Sequence, residues 1–150
     1  MLAFILIAAV ALAVDQLLKL LVITFMQPGQ SLAVVPHLIY LTYAQNPGGA
    51  FTILAHRTWL FIVLGIILVV ALIVWRIVSP VDDWRITWST GLLVGGVLGN
   101  LLDRLRTGYV TDYVDFQIWP VFNAADVFIL TGVALLIWVL LTTQDNSRGG

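Results

Sequence analysis

Two aspartates in the second half of the chain are candidates for catalysis by a pair of carboxyl groups. Asp112 and Asp126 flank a short segment, and near them lie three polar residues that can bind or orient a carboxylate, namely Asn100, Arg104 and Asn123. Two carboxyl groups that share one site cannot both ionise cheaply, so one keeps its proton while the other acts as a base. Such a pair can activate water for attack on a peptide carbonyl without a metal or a covalent intermediate.

Each aspartate also has a purely structural interpretation. Asn123 is a good N-cap for a helix, and Asp126 would then be the third helical residue, where a carboxylate meets the positive end of the helix dipole. Asp112 could be a loop residue at the membrane interface. Asp112 and Asp115 are three residues apart, so in a strand they face opposite sides and only one can face a shared site. The two carboxyl groups and their polar neighbours together favour catalysis over capping alone.

Other chemistry fits the sequence less well. The chain has no cysteine, which excludes disulfides, thiol catalysis and cysteine metal ligands. Neither His37 nor His56 stands in ligand spacing with the aspartates, and no serine has a histidine and an acid in a recognisable order. A net charge of -1 leaves no basic stripe for nucleic acid. We therefore expect no metal, no cofactor and no nucleic-acid partner.

The composition indicates which elements must position these residues. Hydrophobic residues make up 61% of the 150 residues and charged residues 10%, whereas a soluble domain carries about 25% charged residues. A helix needs about 20 residues to cross the hydrocarbon core of a bilayer. Four apolar segments have that length, namely Leu2–Met26, Thr58–Val78, Thr87–Leu105 and Ala124–Thr142. The sequence thus predicts an all-α integral membrane protein with four transmembrane helices in a single domain, residues 1–150, with a disordered tail at residues 143–150.

The long connection between the first two segments, Gln27–Arg57, has a different pattern. Its middle, SLAVVPHLIYLTYA, is rich in β-branched and aromatic residues and is interrupted by Pro36. This pattern predicts a small β-hairpin on the membrane surface. In the turn sequence that follows, Pro47 fixes φ, while Gly48 and Gly49 permit positive φ.

The apolar segments contain charges, and each charge at bilayer depth costs at least about 2.5–3.5 kcal/mol. Asp15 and Lys19 are four residues apart in the first segment, with the acid on the N-terminal side, which favours an ion pair. The simplest interpretation is a self-neutralising pair with Lys19 reaching for the interface, and support of a nearby polar site is a second role. Asp103 and Arg106 are equally compatible with ordinary surface positions and with such a site.

Three glycines at four-residue spacing, Gly91, Gly95 and Gly99, lie on the third segment. Small residues at this spacing let another helix approach closely, so we predict a packing face. Asn100 and Arg104 extend the same helix beyond the glycines and form a polar tip directed at a neighbouring helix.

Five motifs in order resemble those of the lipoprotein signal peptidase family, the signal peptidase II aspartyl proteases of bacterial membranes. They are DQLLK at Asp15–Lys19, NPGGAF at Asn46–Phe51, GGVLGNLLDR at Gly95–Arg104, GYVTDY at Gly108–Tyr113 and FNAAD at Phe122–Asp126. They are similar to the family patterns D-x-x-x-K, N-x-G-A-A-F, G-G-x-x-G-N-x-x-D-R, G-x-V-x-D-F and F-N-x-A-D. One such motif is a weak signal, but five in this order cover nearly the whole chain.

The resemblance implies an aspartic-type endopeptidase that removes the signal peptide from prolipoproteins, cutting immediately before a cysteine that carries a diacylglyceryl group. It implies that Asp112 and Asp126 are the catalytic pair. The residues that it implies to bind substrate or support the pair are Asp15, Lys19, Asn46, Gly48, Asn100, Arg104, Asn123 and Ala125.

The resemblance also implies a location. The six arginines are divided three against three between the two sides, which leaves the orientation open. Family members reside in the bacterial cytoplasmic (inner) membrane with both termini in the cytoplasm, which would place the site and the hairpin on the outer, extracytoplasmic face. The expected partners are a lipidated prolipoprotein and membrane lipid, and we expect the chain to act as a monomer.

Two other interpretations stay open at this point. A small proton or solute transporter could use membrane-embedded Asp and Lys residues as a relay, but it would require carboxylates spread across the bilayer depth, whereas here they gather at one face. An assembly subunit held by its glycine face would predict that the aspartates can be replaced without effect.

Overall fold

The four apolar segments form helices, and three short runs of β-branched and aromatic residues form strands. The computed structural model describes residues 1–48, 57–80 and 82–147, and for residues 143–147 it describes the backbone alone. The elements in chain order are α1 (Leu2–Phe25), β1 (Ser31–Val35), β2 (Ile39–Asn46), α2 (Thr58–Val78), α3 (Trp84–Thr107), β3 (Val110–Asp115) and α4 (Ala124–Ser147).

Helix α3 is central, and the other three helices pack around it. Helices α1 and α2 and the part of α4 over Ala124–Thr142 are long and apolar enough to cross a membrane. Among the described residues, α3 is too polar to be identified as a membrane span from its composition. The predicted span Thr87–Leu105 is therefore confirmed as a helix but not as a span. Because α3 is enclosed by its neighbours, it can bury glycines and polar side chains where a lipid-facing helix needs apolar ones.

The predicted glycine face of α3 packs against α1. A Cβ atom built at Gly95 would lie 2.6 Å from the carbonyl oxygen of Ala8 and 2.7 Å from Cβ of Ala11. On the opposite side of α3, a Cβ atom at Gly96 would lie 2.6 Å from the carbonyl oxygen of Ala125 in α4. The backbone of α3 thus approaches both neighbouring helices at distances that only glycine permits.

The predicted hairpin is present as the antiparallel pair β1–β2, and β3 adds to it as a third antiparallel strand in the order β1-β2-β3. The class is therefore a helical membrane protein with a small three-stranded sheet, not an all-α protein with a hairpin alone. A hairpin leaves unpaired N–H and C=O groups at its edge, and β3 covers one of those edges. This pairing places Asp112 opposite Ala44, two residues from Asn46.

The ends of the elements follow the predicted turn residues where these are described. Helix α3 ends at Gly108, whose φ of 83° is left-handed. Gly48 has a φ of 145°, as predicted, whereas Gly49 lies outside the described residues. Helix α4 continues to Ser147, so the predicted disordered tail overlaps its last helical residues, and residues 148–150 lie outside the described part.

The close approach of α1 and α3 generates a stability prediction. Replacing Gly95 by alanine forces the new methyl group into the α1 backbone, so we expect a loss of about 1–3 kcal/mol, the usual cost of overpacking. Gly65→Ala is the matched control, because a Cβ atom there meets Val97 at an ordinary 3.5 Å. Thermal unfolding in detergent measures both variants. Equal melting temperatures for the two would contradict the assigned packing.

Candidate active site

Asp112 lies in β3 with its carboxyl group held by two amides. The side chain is 2% exposed. Asn46 Nδ2 donates to Asp112 Oδ2 at 2.9 Å, and Asn123 Nδ2 donates to Asp112 Oδ1 at 2.6 Å. The pairing of β2 with β3 brings in the first amide, and the start of α4 brings in the second. Both amides belong to residues that the sequence motifs single out.

Asp126 lies in the first turn of α4, where the predicted capping is present. Asn123 Oδ1 accepts from the backbone N–H of Asp126 at 3.0 Å, and Asp126 Oδ2 accepts from the backbone N–H of Asn123 at 3.2 Å. Asp126 Oδ1 accepts from Asn100 Nδ2 of α3 at 2.8 Å. Capping therefore uses one carboxyl oxygen of Asp126, and the other is bound from a different helix.

Three asparagines join the two carboxyl groups into one polar frame. Asn123 Nδ2 donates both to Asp112 Oδ1 and to Asn100 Oδ1, the latter at 3.1 Å. Together with Asn46, these contacts give each of the four carboxyl oxygens of Asp112 and Asp126 one N–H donor. The structure thus brings together Asp112, Asp126, Asn46, Asn100 and Asn123 at one site.

The environment of Asp112 favours its protonated form. Burial raises the pKa of Asp112 to about 7; hydrogen bonds from Asn46 and Asn123 oppose this shift, and the nearby charge of Asp126 adds to it. The carboxyl group therefore keeps its proton to a much higher pH than an ordinary aspartate does. A carboxyl pair with a retained proton is what general acid–base catalysis at neutral pH requires.

The buried charges of α1 correct one prediction. Lys19 forms ion pairs of 2.9 Å with both Asp15 and Asp103, and its side chain is only 2% exposed. Lys19 therefore does not reach for the interface. The buried face of α1 runs through Asp15, Lys19 and Val22 at helical spacing, so both charges point into the bundle.

Asp103 is a buried site residue, not a surface charge. Besides Lys19, it accepts from the backbone N–H of Thr111 at 3.1 Å and from Gln16 Nε2 at 3.0 Å. Arg106, by contrast, is exposed and donates to Gln16 Oε1. The sequence carried a signal for Asp103, because it continues the four-residue spacing of the glycine face that packs on α1. No comparable signal marked Gln16.

Ala125 and Gly48, which the resemblance implies to be supporting residues, contact the site through their backbone N–H groups. The fully buried Ala125 donates its N–H to Asp15 Oδ1 at 2.9 Å. Gly48 donates its N–H to Asn46 Oδ1 at 3.0 Å, which orients the Asn46 amide toward Asp112.

Arg104 lies at the edge of the frame. Its guanidinium lies 5.0 Å from the ring centre of Phe61, and its Nη1 donates to the carbonyl oxygen of Asn100 at 3.3 Å. Its Nε atom is buried without a hydrogen-bond partner among the described residues. A donor of this kind is available to a bound carbonyl group.

Asp115 stands apart from the frame, as the strand spacing predicts. Its Oδ2 atom accepts from Thr42 Oγ1 at 2.8 Å and from Gln117 Nε2 at 2.7 Å. As for metals, no group of three or more metal-ligating side chains comes together in the part of the chain that the structure describes.

Comparisons with known proteins give one consistent family. A family model described as "Signal peptidase (SPase) II" matches residues 7–142. A lipoprotein signal peptidase of Moorella thermoacetica is 47% identical over 141 residues, which cover 92% of this chain and 92% of that protein. A lipoprotein signal peptidase of Pelotomaculum thermopropionicum is 48% identical over 145 residues, which cover 94% of this chain and 93% of that protein.

A solved structure also matches over nearly the full length. A bacterial membrane enzyme determined by the in meso method at 2.3 Å resolution superimposes with a TM-score of 0.90 at 34% identity. The match covers 98% of this chain and 92% of that one. These similarities are to peptidases and to a membrane enzyme, and they give no support to the transporter alternative.

The raised pKa of Asp112 predicts how stability depends on pH. The folded protein keeps a proton up to about pH 7 that the unfolded chain releases near 3.8, so this group contributes stability at low pH that is lost as the pH rises to about 7. The Asp112→Asn variant has no carboxyl group at this position, so its stability does not decrease for this reason as the pH rises. We expect the melting temperature of the variant, relative to the unmodified protein, to rise between pH 4 and 7 and then to level off. A difference independent of pH would refute the assignment.

Proposed function

This chain belongs to the signal peptidase II family, and from that membership and the site geometry we propose that it removes the signal peptide from diacylglyceryl-modified prolipoproteins with Asp112 and Asp126 as the catalytic pair. The cut falls immediately before the lipidated cysteine. The observation that carries the proposal is the frame of three asparagine amides that holds both carboxyl groups at one site.

In the proposed reaction, Asp126 is the ionised base and Asp112 the protonated acid. Asp126 takes a proton from water, whose oxygen bonds to the scissile carbonyl carbon, while Asp112 gives its proton to the carbonyl oxygen. The resulting tetrahedral species then breaks its C–N bond as the nitrogen takes up the proton held by Asp126. The carbonyl re-forms and returns a proton to Asp112. Water is consumed, and one carboxyl and one amino terminus form.

The assignment of the two roles rests on their surroundings. The pKa of Asp112, raised to about 7 by burial, keeps a proton available at neutral pH. Asp126 accepts N–H groups at both oxygens at the positive end of α4, and such an environment stabilises a carboxylate.

An apolar groove beside the pair is the proposed seat of the signal helix. It has a volume of about 260 Å³ and lies between α2 and the α3–α4 pair. Its apolar wall consists of Phe61, Leu64, Gly65, Leu68, Val97, Leu101 and Ile129. Asn100 and Arg104 close its polar end, where the guanidinium can donate to a carbonyl of the bound chain.

The same proposal includes the arrangement in the membrane. All four helices cross the bacterial cytoplasmic membrane, both termini lie in the cytoplasm, and the site opens toward the outer face, with lipid around α1, α2 and α4. The enclosed position of α3 accounts for its lower hydropathy. The chain acts as a monomer, since one chain contributes every amide and carboxyl group of the frame.

The carboxyl pair can be tested by isosteric replacement. Asp112→Asn and Asp126→Asn each remove the acid or the base while keeping the side-chain shape, so cleavage should fall by at least about 100-fold. Asp115→Asn is the matched control in the same strand, outside the frame, and should stay within a few-fold of the unmodified enzyme. The assay is cleavage of a purified lipidated precursor, with the unlipidated precursor as a second control. Near-normal cleavage by either dyad variant would refute the pair.

The groove can be tested separately from the chemistry. Leu64→Trp fills the groove, so KM for the lipidated precursor should rise several-fold while kcat changes little. Ile66→Trp places the same side chain on the opposite side of α2, where the residue is already 45% exposed, and serves as the control. If Leu64→Trp and Ile66→Trp have the same KM, the signal helix does not bind in this groove.

A further inference from the structure

We propose that Asp15, Lys19 and Asp103 form a charged clamp that positions both catalytic aspartates, with Lys19 as its central positioning residue. The inference rests on the proposed catalytic role of Asp112 and Asp126. None of the three clamp residues touches the reacting groups directly, so their effect passes through hydrogen-bonded neighbours.

The clamp binds the backbone of α4 and of β3 at the residue that precedes the catalytic aspartate in each. Asp15 Oδ1 accepts from the backbone N–H of Ala125, the residue immediately before Asp126. Asp103 Oδ2 accepts from the backbone N–H of Thr111, the residue immediately before Asp112. The two clamp carboxylates thus each fix the backbone next to one member of the pair, and they lie on two different helices, α1 and α3.

Lys19 binds these two carboxylates to each other. An ammonium group has three N–H donors, and those of Lys19 go to Asp15 Oδ2, Asp103 Oδ2 and Asn100 Oδ1, each at 2.9 Å. All three donors are used, and the side chain is buried. The starts of β3 and α4 are therefore linked through one cation, which sets their separation.

The third donor of Lys19 also fixes the orientation of Asn100. An ammonium group only donates, so the atom of the Asn100 carboxamide that faces it must be the oxygen. The amide nitrogen then faces Asp126 and donates to Oδ1 at 2.8 Å. Asn123 supplies a second, neutral donor to Asn100 Oδ1 at 3.1 Å, but the charge-assisted bond from Lys19 to this oxygen is the stronger of the two.

The clamp contains two carboxylates and one ammonium group. Asp15 and Asp103 face Lys19 from α1 and α3, and Arg104 of α3 lies near Asp112 and Asp126. Burial raises the pKa of Asp112 and outweighs the charge of Lys19, which lowers this pKa. The positional action of Lys19 is separate from this effect and passes through Asn100, β3 and α4.

The decisive experiment measures kcat and KM for Lys19→Met, Asn100→Ala and the double variant, with the lipidated precursor as substrate. Misplacement of catalytic groups by about 1 Å costs about 100-fold in rate, so Lys19→Met should lower kcat by roughly 10- to 100-fold with KM within a few-fold. If Lys19 acts through Asn100, the double variant should be far less impaired than the product of the single effects. Arg106→Met is the matched control, because this exposed cation is hydrogen-bonded to Gln16 and reaches the clamp carboxylates only through that side chain.

Two further variants keep the test decisive if Lys19→Met does not fold. Asp103→Asn and Asp15→Asn keep the side-chain shape and remove one ion pair each, and both should lower kcat more than KM. Unchanged kcat in folded Lys19→Met, Asp103→Asn and Asp15→Asn variants would overturn the clamp. Single effects that multiply in the double variant would overturn the placement of Asn100 by Lys19. If instead Asp112→Asn cleaves normally, the proposed function itself fails, and the two failures are thereby distinguished.

Discussion

The burial of Lys19 between two aspartates is the interaction on which the rest of the site depends. A buried charge is tolerated only when it is paired and its hydrogen bonds are complete, and the ammonium group of Lys19 meets both conditions with Asp15, Asp103 and Asn100. Removing Lys19 would leave two buried carboxylates without their cation, which costs far more than a surface pair is worth. The network therefore has one well-defined arrangement, and the catalytic candidates are attached to it.

This arrangement requires helices α1 and α3 to pack so closely that their backbones are in contact. Gly99 lies directly against the Asp15 carboxylate, and Gly95 lies against the Ala8 carbonyl. A side chain at either position would separate the helices and lengthen the contacts of Lys19 with α3. The glycine face therefore matters for the charge network as well as for the packing, because it sets the distance at which charges on two helices can meet.

A structural role and the proposed catalytic role are compatible for the residues of this site. Asn123 caps α4 through its side-chain oxygen and binds Asp112 through its side-chain nitrogen. One carboxyl oxygen of Asp126 accepts from the backbone N–H of Asn123 in the cap, and the other accepts from the side-chain amide of Asn100. A helix N-terminus is a suitable place for a catalytic carboxylate because the same N–H groups that need a cap also stabilise its charge.

The sequence by itself determined the helices, the hairpin and the turn glycines Gly48 and Gly108, since these depend on local patterns of apolar spacing, β-branching and capping. The motif residues around the pair were implied by the family resemblance. Only the tertiary structure decided that β3 completes the sheet, that Lys19 points inward and that Asp103 is buried. Those outcomes depend on which faces meet across long separations in the chain, such as that between Lys19 and Asp103. The periodicity of a sequence predicts each helix or strand separately. The position of a buried charge such as Lys19 depends instead on a partner from another element, here Asp103 of α3.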